Sequence, residues 1–277
     1  MATYQADNEV GPRRGELSRA RKLLNGTAVA WYVAAALGLA AFLLFILLFY
    51  YPSSLSGNFA AWDKKPNIEG FAAGDTAGNI MFALHVLAAG LITGGGLFQL
   101  VPSIRQKWPR LHRWNGRVFV VTALFLAFGG VWLVWVRGTY LNFVGAFGIS
   151  FNAALIIGFT IMAWWSAVKK DFGEHRRWAL RLFIVANAVW FMRLGYMVWG
   201  IGTGGAGIGE RMDGPFDYFL AFGNSLVPLA IMEGYIRVTA GQSKGAHYLL
   251  AGTLAACALF TIGGSLAAWL VMWGPYI

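Results

Sequence analysis

The sequence predicts an all-α polytopic membrane protein, one bundle of seven transmembrane helices, on three observations. Of 277 residues, 58% are hydrophobic and 12% charged, and the mean hydropathy of +0.57 is too high for a soluble domain. A helix needs about 20 mainly apolar residues to cross the hydrocarbon core. Seven stretches have that length, roughly 27–51, 79–101, 115–136, 142–168, 177–200, 216–237 and 247–274. Finally, 17 of the 22 Lys and Arg residues fall on one side once these spans are threaded in order.

Residues 1–26 precede the first span and carry Arg13, Arg14, Arg19, Arg21 and Lys22. They lack the short apolar core and small-residue cleavage site of a signal peptide. The first span therefore reads as an uncleaved anchor, and the positive-inside rule places the N-terminus in the cytoplasm and the C-terminus outside. The chain divides into a basic cytoplasmic segment, 1–26, and a single membrane domain, 27–277, predicted to be multi-pass in the inner (plasma) membrane. The formal charge of +10 follows from topology and from attraction to anionic membrane lipids. Nucleic acid is not called for as a partner. Cys257 is the one cysteine and sits in a span, which excludes intrachain disulfides and Cys-based metal motifs.

Between spans on the outer side lie connections 52–78 and 201–215, expected to be caps rather than domains. The second contains G-x-G-x-x-G at Gly202, Gly204 and Gly207. A dinucleotide fingerprint must follow a strand and open a helix, whereas this one follows a membrane helix, so it reads as a flexible loop.

In the second span, Gly90, Gly94, Gly95 and Gly96 form a small-residue face that suits close helix packing or a flat ligand. The same span carries His85 among apolar residues, about 10 Å below the outer boundary at 1.5 Å per residue. An ionisable residue at that depth is a functional candidate. Arg193, in the fifth span, shares that depth and needs a partner, which Asp217 or a ligand carboxylate could supply. Glu233 and Arg237, four apart, are placed to satisfy each other. Gln99, Asn152, Asn187 and Asn224 read as interhelical hydrogen-bonding groups.

The third and fifth spans open on near echoes, LHRWNGRVFVV at 111–121 and HRRWALRLFIV at 175–185. Trp and Arg at an inner boundary are explained by interfacial anchoring; a His in front each time is not. His112 and His175, joined by His247 at the start of the seventh span, lie at one depth and would form a metal-ligating trio if those helices are neighbours. Each echo also carries two guanidiniums four apart, Arg113 with Arg117 and Arg177 with Arg181, suited to carboxylate or phosphate oxygens.

The run LITGGGLFQLVPSIRQKWPRLHRWNGRVFV, with His85 upstream and HRRWALR downstream, resembles a family of predicted bacterial multi-helix membrane proteins of unknown function. The likeness covers roughly residues 80 to 200 and implies a multi-helix membrane protein with no assigned substrate. A looser likeness to membrane b-type cytochromes and ferric-reductase-like proteins implies haem held between helices by His ligands. The chain departs from that pattern, because no span carries two His and His85 is at the opposite side from the other three.

Three functions compete on this reading. One is a redox protein binding haem b, with quinone as electron partner and His85, Arg193 and the arginine forks as contacts. The second is a non-catalytic subunit contacting lipid, pigment, another subunit or, as a homo-oligomer, further copies of itself. The third is a transporter. A retinal protein would need a lysine within a span, and none lies there. G-x-S-x-G and H-E-x-x-H are missing too, which argues against hydrolases.

Overall fold

The structure, a computed structural model, describes residues 10–65 and 70–277. Residues 1–9 of the basic segment and the side chains of Arg13 and Arg14, which bear on the predicted orientation, lie outside the described set. Among the described residues there are helices and turns and no strand.

Helix α1 (Val10–Phe45) continues through a π-helical turn, Ile46–Tyr50, into α2 (Tyr51–Ser56). It ends at Gly57, whose φ of 74° is the left-handed cap that a residue without Cβ adopts at no steric cost. A 3-10 turn, Phe59–Lys64, precedes α3 (Thr76–Gln99), which is N-capped by Asp75. The short α4 (Pro102–Lys107) leads into α5 (Pro109–Trp135), each opened by a proline, whose lost N–H would be unpaired there anyway. Next come α6 (Phe143–Val168), capped by Asn142, and α7 (Phe172–Ala186), capped by Asp171. They are followed by α8 (Ala188–Thr203), α9 (Pro215–Ala240) and α10 (Lys244–Ala268). A second π-helical turn, Trp269–Trp273, and a 3-10 turn, Gly274–Tyr276, extend α10.

Six helices are individually long and apolar enough to span a membrane, and α7 with α8, bent by 50°, makes the seventh. With that pair counted as one span the candidates number the seven expected, and without it six. The first starts earlier than its apolar stretch, because α1 runs back to Val10, buries Ala20 and packs Leu24 against α10.

The bend has a chemical cause at Asn187. Its amide donates to the Phe183 carbonyl at 2.7 Å, so the side chain competes with the helix's own ladder. From α6, Asn152 donates to the Val185 carbonyl at 3.0 Å and to Ser225 on α9 at 2.8 Å. Asn152 thus acts as the interhelical group expected of it, as does Gln99, which donates to the His112 carbonyl of α5; Asn187 and Asn224 instead bond within their own helices, which corrects their reading.

The bent helix runs through the middle of the bundle. α7 packs on α6 and α9, and α8 on α9 and α10; around them α10 lies along α1, α3 on α5 and α5 on α6. Phe183, Ile184, Val185, Ala188, Trp190 and Leu194 are all buried. The glycine face of α3 is filled by neighbours: Tyr51 against Gly90, Leu43 against Gly94, Asn115 against Gly95, and Phe119 and Phe183 against Gly96. Helix packing accounts for that face.

A glycine on α6 lets two helix backbones approach closely. A Cβ on Gly148 would lie 2.5 Å from the backbone oxygen of Ala221 on α9, an overlap that no rotamer change relieves. Gly148→Ala is expected to cost about 1–3 kcal/mol of stability. Thermal unfolding in detergent checks this, and a melting temperature equal to the parent's would refute it.

Candidate functional site

The bundle has two polar ends. One, the basic end, carries both echoed segments, the α9–α10 connection and residues 16–24; there Arg21 donates to Gln242 at 2.9 Å and Lys244 pairs with Glu16. The other carries the two caps.

At the basic end the repeated Trp-x-x-Arg has one geometric meaning. The Arg117 guanidinium lies 4.9 Å from the Trp114 ring centre, and that of Arg181 lies 4.5 Å from Trp178. Residues three apart on a helix are neighbours, so each repeat closes a cation–π contact over its first turns. The two forks then diverge. Arg177 pairs with Glu174 at 2.8 Å, and Arg181 forms a two-pronged pair with Glu233 of α9, one prong at 3.0 Å and the other closer. The second fork is thereby committed within the protein, which corrects its reading as an open anion site. Glu233's expected partner is corrected with it: the forked guanidinium across the helix interface holds both carboxylate oxygens, which Arg237 does not. Arg113 and Arg117 stay exposed.

His112 and His175 stand within electrostatic reach of each other. Nδ1 of His175 is 2.9 Å from the Ala163 carbonyl of α6. A carbonyl only accepts, so the proton sits on Nδ1 and Nε2 keeps a free lone pair. His112 Nδ1 is buried without a partner, while its own carbonyl accepts from Gln99 at 3.1 Å.

His247 is 1% exposed and holds Nδ1 2.7 Å from the Ser243 carbonyl. Its helix packs on α1, α8 and α9, whereas α5 packs on α3 and α6. Among the described residues no three His, Cys, Asp or Glu form a metal-binding group. The expected trio is therefore not assembled among the described residues: only His112 and His175 reach each other electrostatically, and the helix of His247 packs on other neighbours. His85 stands alone on α3, its ring against Gly129 and Gly130 of α5 and its buried Nδ1 unpaired.

At the cap end, Arg137 clamps the first connection. It donates to Asp75 at 2.8 Å, to the Gly70 carbonyl at 3.0 Å and to Asn79 at 2.7 Å. These bonds hold the Asp75 carboxyl below its ordinary value, Arg137 first and the Gly78 N–H second. The second connection is tied down as well, which corrects its reading as a flexible loop. Asp217 accepts from Gly209 at 2.8 Å, Gly214 at 2.9 Å and Tyr196 at 2.8 Å. Gly204, Gly205 and Gly207 sit at positive φ, so the glycines serve turns and not a nucleotide.

Asp217 is thus satisfied without Arg193. Arg193 donates to the Val189 carbonyl of its own helix at 3.0 Å and lies 5.1 Å from the Phe42 ring centre. Its charge reaches Tyr50 and Lys65. Lys65, expected only as an outer basic residue, is 7% exposed, with Nζ 5.8 Å from Phe45 and 5.9 Å from Tyr276. Burial first, and Arg193 second, push its ammonium down to about 8. Three indoles, Trp62, Trp190 and Trp273, are at most 2% exposed and their N–H groups have no acceptor.

The profile of a family described as "Predicted membrane protein (DUF2306)" matches residues 82–236, from within α3 to within α9. No curated protein and no solved structure matches the chain.

Proposed function

The chain belongs to that family of predicted membrane proteins, and on this premise we propose that it is a redox protein of the membrane holding a b-type haem between His112 on α5 and His175 on α7. One observation carries this reading. The Ala163 carbonyl fixes the His175 tautomer and leaves Nε2 as a ligand, with His112 from a separate helix within electrostatic reach. The unpaired, buried His112 Nδ1 is a second group in need of a contact. Arg113 and Arg117, free of acidic partners among the described residues, suit the propionates. A bound haem supplies one-electron carriage at a potential set by its axial ligands and their surroundings, and a membrane quinone is the proposed electron partner.

A second reading, a non-catalytic subunit, is favoured by the exposed aromatic belt at the basic end. Trp108, Trp114 and Trp165 are 59%, 65% and 56% exposed beside exposed basic residues, a surface for lipid or a neighbouring subunit.

Absorption spectra of protein purified from haem-supplied cells, oxidised and then dithionite-reduced, separate the two. The redox reading expects sharp reduced b-type bands that fall about tenfold in His112→Ala and in His175→Ala and persist in His247→Ala and His85→Ala. A colourless, folded protein would discard it in favour of the subunit.

A further inference from the structure

We propose that the cap end holds a binding site for a flat organic carboxylate, with Arg193 and Lys65 as its cationic contacts and Tyr50, Trp62 and Trp273 in its walls. The site is distinct from the paired histidines and stands whether or not haem is bound.

Two cations share one apolar region there. Lys65 is 7% exposed and Arg193 reaches it electrostatically, yet no described carboxylate pairs with either. Aromatic faces offset part of the cost through cation–π attraction. Taking a charge out of water costs more than such a contact returns, and two like charges add their repulsion. The three ring contacts leave a deficit that an anion would close.

Two donors in the same aromatic cluster also lack an acceptor. Trp62 and Trp273, both 0% exposed, carry indole N–H groups with no acceptor, although a buried indole normally finds one. A carboxylate offers two oxygens and several lone pairs to such a set. The surroundings are aromatic and packed ring on ring, an environment that suits a flat body. Trp62 and Tyr50 are linked through Phe82, at centroid distances of 4.9 and 6.2 Å; Tyr50 and Trp273 are linked through Phe45, at 5.6 and 6.3 Å.

The backbone is irregular at this level as well. Both π-helical turns of the chain's described residues lie here, and they end on Tyr50 and Trp273. Such turns interrupt a helix at an energetic cost and recur at functional sites. Trp62 and Lys65 belong to the cap that Arg137 clamps, so the site is covered by a segment held through side-chain bonds.

Titrating the purified full-length protein with benzoate, and with benzyl alcohol as the neutral control, tests the assignment. Benzoate at a hundredfold excess over its Kd is expected to raise the melting temperature by about 5 °C and to alter tryptophan fluorescence; benzyl alcohol should do neither. Arg193→Gln and Lys65→Gln should each weaken benzoate at least tenfold, and Lys65→Gln carries the test if Arg193→Gln does not fold. Glu69 lies outside the described residues, and a charge supplied by it has its own signature. The parent would ignore benzoate and Glu69→Gln would gain the response, a result that overturns the proposal. So would a benzoate response unchanged in both cation variants.

Discussion

Replacing Arg137 by alanine is expected to lower stability by about 2–4 kcal/mol and to free the segment ahead of α3. The guanidinium side chain is 5% exposed and unites three acceptors from separate positions, Asp75, Gly70 and Asn79. Asn79 in turn exchanges two bonds with Ala72, at 3.0 and 2.8 Å, so the loss spreads along the connection. Hydrogen exchange should rise at residues 70–79 while the α5–α6 core stays protected. Arg137→Lys should recover less than half the loss, because one ammonium does not span three acceptors held by a fork. A variant as stable as the parent would show that the cap is held by packing alone.

The clamp also has a pH signature. Asp75's folded value is depressed below its ordinary 3.8. A group depressed on folding stabilises above its unfolded value, and that contribution fades as pH falls through the folded one. The cap should therefore hold at neutral pH and loosen only below about pH 4, a change that Arg137→Ala should lack.

Trp190→Ala is expected to cost about 3–5 kcal/mol, among the largest effects of any single truncation here. The indole is 2% exposed in the central helix, against Gly38 of α1 and Ser265 of α10, so its removal leaves a cavity where three helices meet. Trp190→Phe should cost under about 1.5 kcal/mol, since most of the ring volume stays and the lost N–H had no acceptor. Equal losses in the two variants would mean that the N–H is bonded after all. Detergent unfolding curves of the pair decide it.

The spans were readable because bilayer thickness imposes a length that composition reveals, and six of them needed nothing more. The seventh was readable as a span but not as a bent one: Asn187 is a single polar residue in an apolar run, and its effect depends on Asn152 and Ser225 reaching the break from other helices. The echoed segments illustrate the same divide. The Trp-x-x-Arg spacing is local, so both cation–π contacts follow from helix geometry. Which arginine stays open depends on Glu233, 52 residues beyond Arg181.

Pairing Arg193 with Asp217 relied on their shared depth. Depth is one coordinate; the direction around the helix, which sends Asp217 to the loop N–H groups, is set by packing. Lys65 was hidden for a related reason. It follows Lys64 in what looks like a solvated pair, and it is buried by Phe45 and by Tyr276, at the far end of the chain.

That the first and last helices lie side by side has a consequence for how the protein is made. α1 leaves the ribosome well before its main partner, α10, and five further spans are made between them. Contacts so distant in sequence are slow to form, because the intervening chain must be ordered first. Until then the face of α1 that carries Gly38 and Phe42 can meet Trp190 and Arg193 of α8 but not Ser265 and Trp273. A nascent chain halted before residue 244 therefore holds α1 without the helix it packs on most.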